Sequence, residues 1–233
     1  MENTINNVAE NVKKVRDIIG EAAIKSGRKP EEITLVAASK TKPAESIRQA
    51  IAAGVDAVGE NRVQEMIEKS AQDAYTGAPL HFIGHLQTNK AAKVVGACDL
   101  IESVGSQALI ELLGKKAVSL GIVQDILIEV NIGREEQKTG VLPEQAEDIL
   151  SFASHVKGIN VLGLMSVPPF YEQVEKNCNY FDAMLKLFVD MRAKKYDNVS
   201  MQLLSMGMSD SFAEAIIAGS NMVRIGSAIF GAR

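Results

Sequence analysis

Residues 35–43 read L-V-A-A-S-K-T-K-P, an apolar run that ends in two lysines and a proline. A short apolar run of this kind is typical of a buried strand. Pro43 biases Lys42 toward extended geometry, and proline itself suits the first position of a helix. The stretch therefore predicts a strand that leads directly into a helix.

The same order of strand and helix repeats along the chain. Short apolar runs predict eight strands, at residues 34–39, 55–59, 81–84, 100–104, 125–131, 161–166, 202–206 and 222–226. Longer segments between them predict helices at residues 44–53, 63–74, 89–95, 107–120, 144–155, 173–194 and 212–218. Apolar side chains at three- and four-residue steps predict a further, N-terminal helix over residues 3–26.

Strict alternation of strands and helices indicates parallel pairing. Eight such units in 233 residues match the size and the strand count of an α/β fold of the (β/α)8 TIM-barrel type. A doubly wound sheet remains an alternative, because the hydrophobic period does not distinguish a closed sheet from an open one. No linker interrupts the chain, so residues 1–233 are predicted to form a single barrel domain with an added N-terminal helix.

The composition is that of an ordinary globular protein, with 46% hydrophobic and 23% charged residues. The formal net charge of -4 predicts no binding to nucleic acid or to an anionic membrane, while a local pocket could still bind phosphate. No apolar run approaches the roughly 20 residues that span a bilayer, and no signal peptide is evident, so we expect a cytoplasmic protein. Cys98 and Cys178 stand far apart, and no metal site is expected.

Strand parity singles out Lys40. Alternate strand residues face opposite sides, so Lys40 shares a face with Val36 and Ala38. If that face is the barrel interior, the Lys40 amine enters the mouth, where such barrels carry their active sites. Partial desolvation there would lower the pKa of the amine and suit it to a Schiff base with an aldehyde. The alternative is a lysine that only marks the end of the strand.

A second concentration of polar residues follows the last two predicted strands, in S-M-G-M-S-D-S (205–211) and R-I-G-S (224–227). In many barrels these loops bind phosphate. Arg224 shares parity with Met222, so we expect it to point into the barrel and to need an anionic or hydrogen-bonding partner. A lysine amine opposite a phosphate cradle describes a site for pyridoxal 5′-phosphate (PLP). The alternative is that these serines and glycines serve only turns and helix caps.

Seven motifs are spread along the chain: V-A-A-S-K-T-K-P (36–43), V-G-E-N-R-V-Q-E (58–65), H-F-I-G-H-L-Q-T-N-K (81–90), V-N-I-G-R-E-E-Q-K-T-G (130–140), G-L-M (163–165), L-S-M-G-M-S-D-S-F (204–212) and R-I-G-S-A-I-F-G (224–231). In this order they resemble the pyridoxal phosphate homeostasis protein family over essentially the whole chain. The resemblance implies a fold-type III barrel like the N-terminal domain of alanine racemase.

The resemblance also implies the cofactor and its contacts. PLP would be bound as a Schiff base on Lys40, with Ser209, Gly226 and Ser227 at the phosphate and Arg224 near the pyridine nitrogen. The implied cofactor-binding residues are Lys40, Asn61, Met165, Ser205, Met206, Ser209, Arg224, Gly226 and Ser227. Auxiliary residues are Lys42, His85 and Lys138. For Lys138 the simpler expectation is a surface ion pair with Glu135.

The family is regarded as a cofactor carrier without an established catalytic activity, so the resemblance implies a role in intracellular PLP (vitamin B6) homeostasis. The implied partners are PLP and PLP-dependent apoenzymes, and we expect a monomer. One alternative is a PLP-dependent amino-acid racemase-like enzyme with Lys40 and either Lys42 or Lys138 as bases. Such racemases take one base from a second domain, which is not expected here because the chain ends at Arg233. A second alternative is a cofactor-free Schiff-base aldolase.

Overall fold

Eight parallel strands close into a barrel in the computed structural model, which describes residues 7–169 and 174–231. Their order around the barrel follows their order along the chain, and the first strand pairs with the last. The strands are β1 (Thr34–Ala38), β2 (Ala57–Glu60), β3 (Leu80–Phe82), β4 (Leu100–Val104), β5 (Gln124–Glu129), β6 (Ile159–Met165), β7 (Val199–Ser205) and β8 (Met222–Ile225). The closed sheet confirms the predicted TIM barrel and excludes the open, doubly wound alternative.

Helices alternate with the strands and cover the outside of the barrel. In the described part of the chain they are α1 (Val8–Lys25), α2 (Ala44–Ala52), α3 (Val63–Ser70), α4 (Thr88–Ala91), α5 (Gln107–Leu120), α6 (Ala146–Ser154), α7 (Val174–Arg192), α8 (Phe212–Ile217) and α9 (Ser227–Phe230). α1 is the predicted N-terminal helix. The helix starts predicted at residues 3 and 173 lie outside the described residues. None of the described helices has the length and apolar character needed to cross a membrane.

Apart from shifts at helix ends, such as α3 ending at Ser70 instead of residue 74, two helices differ from the prediction. α4 is much shorter than the predicted 89–95. After Ala91 the backbone forms turns closed by hydrogen bonds between residues three apart, and Gly96 then has a positive φ of 75°, which a helix does not allow. α9 was not predicted at all. It is a single turn in which the Phe230 N–H donates to Gly226 O at 2.9 Å, and a helix this short leaves no periodic pattern in the sequence.

The two faces of β1 have different surroundings, as parity predicts. Leu35 and Ala37 pack outward against apolar residues of α1 and α8. Val36 points inward, where it packs with five other apolar residues of the barrel: Ala57, Leu100, Leu127, Met165 and Met222. This inner layer fills the barrel below its mouth, so the space for a ligand lies above it, at the carboxyl ends of the strands.

Candidate functional site

A cavity of about 420 Å³ opens at the barrel mouth, at the seam where β1 meets β8. It brings together seven of the predicted residues: Lys40, Lys42, Asn61, Ser209, Arg224, Gly226 and Ser227. A larger cleft of about 720 Å³ lies beside α7 and contains none of them. The convergence of an amine, a guanidinium and hydroxyls makes the smaller cavity the candidate site, and its volume falls in the range of small-molecule pockets.

Lys40 lies on the turn that follows β1, two residues beyond the end of the strand. Its position on the cavity side agrees with the parity prediction. Lys40 is an exposed residue, however, so it is less desolvated than we expected from its place at the mouth. The reason is that β1 ends at Ala38 and Lys40 belongs to the loop above the packed interior, which water reaches.

Lys42 differs from Lys40 in its partners. Its ammonium group donates to the carbonyl oxygens of Phe230 at 3.0 Å and of Gly231 at 3.2 Å. These carbonyls end α9, where a cation is favoured by the helix dipole. Lys42 therefore ties the turn after β1 to the last helix, at the rim of the cavity.

The end of the cavity next to α9 presents groups that suit an anion. The Ser209 hydroxyl oxygen accepts from the backbone N–H groups of Gly226 and Ala228, both at 3.3 Å. A Cβ atom at Gly226 would lie 3.2 Å from the Ala38 carbonyl oxygen, so glycine permits the close approach of β8 and β1 at this point. The hydroxyls of Ser209 and Ser227 both line the cavity. This end is where the sequence predicts the phosphate.

Asn61 reaches the cavity from the loop after β2. Gly84 allows this, because a Cβ atom at that position would come within 2.1 Å of the Asn61 carbonyl oxygen. The side-chain oxygen Oδ1 of Asn61 is buried and has no hydrogen-bond partner. An unsatisfied buried acceptor costs about 1–3 kcal/mol, and a bound donor would remove that cost.

Arg224 points into the barrel beneath the cavity and is almost fully buried, at 4% exposure. It donates to the Ser205 hydroxyl and, at 2.8 Å, to the Ser166 carbonyl oxygen. Glu102 supplies the expected anionic partner, 3.6 Å away. Glu102 in turn accepts from Ser205 at 2.6 Å and lies 2.8 Å from Nδ1 of His81. We call Arg224, Glu102, Ser205 and His81 the Arg224 cluster.

The charges in the Arg224 cluster stabilise one another. Burial lowers the pKa of Arg224, and the carboxylates of Glu102 and Glu129 act against this. Burial alone would raise the pKa of Glu102, but its hydrogen bond with His81 and the charges of His81 and Arg224 bring that pKa below its ordinary value. The pair is therefore ionised, with the guanidinium held in one direction.

Three of the nine predicted cofactor-binding residues do not line the cavity. Met165 belongs to the inner apolar layer below it, and Ser205 acts within the Arg224 cluster. Met206 is buried in the layer between barrel and helices, so its side chain points away from the mouth. The reason is parity: Met206 follows the inward-facing Ser205 by one residue and therefore faces the opposite side.

The remaining auxiliary residues lie beside the cavity. His85 lines a neighbouring cavity of about 640 Å³ at the ends of β3 to β5, together with Glu129 and Thr139. Burial raises the pKa of Glu129, although the Thr139 hydroxyl and the charge of Arg224 act against this. Lys138 forms an ion pair with Glu135, which is the simpler of the two expectations for this residue. It also donates to Val167 O at 3.2 Å. No three His, Cys, Asp or Glu side chains are grouped for a metal ion within the described ranges.

The sequence analysis missed a second buried cluster, which lies outside the barrel wall behind the Lys40 turn. It consists of Lys69, Glu60, Glu65 and Tyr75, and we call it the Lys69 cluster. The Lys69 ammonium lies 2.7 Å from Oε1 of Glu60 and 3.3 Å from Glu65, and the Tyr75 hydroxyl donates to Glu60 at 3.1 Å. One signal was available: Lys69 follows Val63 and Met66 at three-residue steps, on the buried face of α3.

Three comparisons place this geometry among known proteins. The family model described as alanine racemase, N-terminal domain, matches residues 5–233. The pyridoxal phosphate homeostasis protein of Aquifex aeolicus is 40% identical over 227 residues, which cover 97% of this chain and 99% of the relative. The protein of the same name from Escherichia coli (strain K12) is 38% identical over 233 residues and covers 98% of each chain. PipY of Synechococcus elongatus PCC7942, solved with PLP bound, superimposes with a TM-score of 0.83 at 30% identity, covering 96% of this chain and 100% of PipY.

Proposed function

The chain belongs to the pyridoxal phosphate homeostasis protein family, and we propose that it binds PLP in the cavity beside Lys40 and holds it in reserve for other proteins. The observation that carries this proposal is that Lys40, Arg224 and Ser209 line the same cavity, which has a suitable size. Membership of the family supports the role in PLP homeostasis, and PipY supports the identity of the cofactor.

The residues present fit the cofactor. Lys40, Lys42 and Arg224 give the cavity three cationic side chains against the single carboxylate of Asp210, which favours an anion. The unpaired Oδ1 of Asn61 offers an acceptor that only a ligand or water could satisfy. When bound, PLP supplies an aldehyde that condenses with the Lys40 amine, with loss of water, and a phosphate that carries negative charge.

Each remaining role follows from a contact. Ser209, Gly226 and Ser227 would form the phosphate site, because the two hydroxyl groups line that end of the cavity and the Gly226 N–H holds the Ser209 hydroxyl there. Arg224, held as a cation by Glu102, would disfavour protonation of the pyridine nitrogen, which limits the ring as an acceptor of electrons. This arrangement suits retention of the cofactor better than chemistry on an amino acid.

The racemase alternative lacks support from the lysines proposed as its bases. Lys42 is committed to two carbonyl oxygens at the end of α9, and Lys138 is paired with Glu135. We propose a carrier that acts as a cytoplasmic monomer and delivers PLP to apoenzymes. Met165 and Ser205 would contribute below the site, and the Met206 side chain, which points away from the mouth, is assigned no contact with the cofactor.

The first test is the visible absorbance of the purified protein after addition of PLP. We expect a band from the lysine-bound aldehyde in the wild type, its loss in Lys40→Ala, and its retention in Lys115→Ala, which removes an exposed lysine of α5. A wild type without the band, or a band that persists in Lys40→Ala, would contradict the assignment of Lys40.

A second test addresses delivery. An apoenzyme mixed with the loaded protein should regain activity faster than with the same concentration of free PLP. Equal rates would argue against direct transfer, and amino-acid racemisation abolished by Lys40→Ala would favour the racemase-like alternative instead.

A further inference from the structure

The turn that carries Lys40 has a strained backbone. Thr41 has a φ of 64°, in the left-handed region that a β-branched residue seldom adopts. Strain of this kind persists only where surrounding contacts hold it, and it concentrates at functional sites. Thr41 directly follows the lysine proposed to bind PLP. The contacts that hold the turn therefore also determine the position and direction of the Cα–Cβ bond of Lys40.

These contacts come from the Lys69 cluster, on both sides of Lys40. Before it, the buried Ser39 donates its hydroxyl to Oε1 of Glu60, and its carbonyl oxygen accepts from the Lys69 ammonium at 3.0 Å. After it, the Thr41 N–H donates to Oε2 of Glu65 at 2.8 Å. The two neighbours of Lys40 are thus fixed by three charged side chains that are themselves paired with one another.

The cluster is built to be rigid. Glu60 is completely buried and the Lys69 side chain is only 10% exposed, so their interaction is little screened by water. Although partial burial acts to raise the pKa of Glu65, the Thr41 N–H and the Lys69 ammonium lower it overall, and the carboxylate stays charged. Hydrogen bonds to charged groups are roughly twice as strong as neutral ones.

We propose that Lys69 and Glu65 are positioning residues for the covalent bond between Lys40 and PLP; this inference rests on the proposed function. In that reaction the lone pair of the neutral Lys40 amine forms a bond to the aldehyde carbon. The carbon–oxygen bond breaks, and the oxygen leaves as water with the two amine protons. The equilibrium depends on how the amine is oriented toward the carbon, and the turn sets that orientation. The phosphate end of the cavity is formed by Ser209, Gly226 and Ser227, which lie outside this turn.

The test compares two ligands that differ only at the reacting group: PLP, and pyridoxine 5′-phosphate, which has an alcohol in place of the aldehyde. Dissociation constants are measured for the wild type, Lys69→Met, Glu65→Ala and Glu65→Gln. We expect Lys69→Met and Glu65→Ala to weaken PLP binding by about tenfold or more, with pyridoxine 5′-phosphate changed by less than about twofold. Glu65→Gln should restore most of the PLP affinity, because its amide oxygen still accepts from the Thr41 N–H.

Leu113→Ala is the matched control for lost stability, because Leu113 is buried on α5, away from the Lys40 turn. It should change both dissociation constants equally or not at all. The inference is overturned if Glu65→Ala weakens both ligands to the same extent, or if it leaves PLP binding unchanged. Glu65 is partly exposed, so this variant keeps the test decisive even where Lys69→Met does not fold. A wild type that binds both ligands equally without an absorbance band would overturn the proposed function as well.

Discussion

The Arg224 cluster and the Lys69 cluster both surround a fully buried glutamate near the barrel mouth, but they differ in how that glutamate is satisfied. Glu102 lies inside the barrel and uses both oxygens, one toward His81 and one toward Ser205. Glu60 lies outside the barrel wall and accepts every donor on Oε1, while its Oε2 has no partner.

The cations also differ in their access to water. The Arg224 side chain is 4% exposed, whereas the Lys69 side chain is 10% exposed and has a second carboxylate, Glu65, within reach. In the inner cluster, the Arg224 guanidinium is paired with a single carboxylate among the described residues, that of Glu102. The outer cluster has an unpaired oxygen, Oε2 of Glu60, and a second carboxylate, that of Glu65. It should therefore tolerate the loss of one charged side chain better than the inner cluster.

The largest expected effect is on stability. Glu102→Gln should lower the free energy of unfolding by about 3–5 kcal/mol, because it leaves Arg224 buried without its counter-charge. Glu60→Gln should cost only about 1–3 kcal/mol, because Lys69 keeps Glu65. Urea unfolding at neutral pH measures both, with Glu147→Gln on the surface as a control that changes little. Equal costs for the two variants would remove the distinction between the clusters.

The next effect is the dependence of stability on acid. The folded-state pKa of Glu102 lies below the ordinary value of about 4.3 for glutamate. Its stabilising contribution is therefore complete above that ordinary value and is lost as the pH falls through the lowered pKa. Glu102→Gln should show a shallower loss of stability than the wild type in that acidic range, measured as urea midpoints at successive pH values. An identical slope would mean that Glu102 titrates normally.

A smaller effect concerns ligand binding. Ser205→Ala removes the hydroxyl that joins Arg224 to Glu102. Because Arg224 is proposed to face the ring, affinity for PLP and for pyridoxine 5′-phosphate should fall together, by about three- to tenfold. Loss of PLP affinity alone would instead place Ser205 in the control of Lys40, and titration with both ligands separates the two results.

The smallest effect is expected for Tyr75→Phe, which removes one of the donors to Oε1 of Glu60. Ser39 and Lys69 continue to satisfy that oxygen, so the cost in unfolding free energy should be about 1 kcal/mol. Tyr196→Phe is the matched control, since its hydroxyl makes a long, exposed contact with Glu147. A change of ligand affinity in Tyr75→Phe would show that the outer cluster is less tolerant than proposed.

Much of this arrangement could be predicted from local patterns. Alternation of strands and helices indicated the barrel. Parity indicated which face of β1 turns inward and that Arg224 needs an anionic or hydrogen-bonding partner. Parity also explains the limits of the prediction. The partner of Arg224 is Glu102 on β4, and finding it requires the register between strands distant in the chain, which a single sequence does not contain.

Lys69 was missed for a different reason. A lysine in a helix reads as a surface charge, because lysine is seldom buried unless it is paired. The one sign that Lys69 is buried was its place on the same helix face as Val63 and Met66. Its partner Glu60 comes from the preceding strand, so their pairing depends on how α3 packs against β2 and not on the sequence of either element alone.

The pairing of β1 with β8 has a consequence for folding during synthesis. Lys40 follows the first strand, whereas Arg224 and Gly226 belong to the last strand and the turn after it. During synthesis, which proceeds from the N-terminus, Lys40 leaves the ribosome long before these partners. Until β8 docks beside β1, the nascent chain has the Lys40 amine without the residues that we propose for the phosphate. On the proposed assignment, the complete PLP site therefore forms only when the barrel closes.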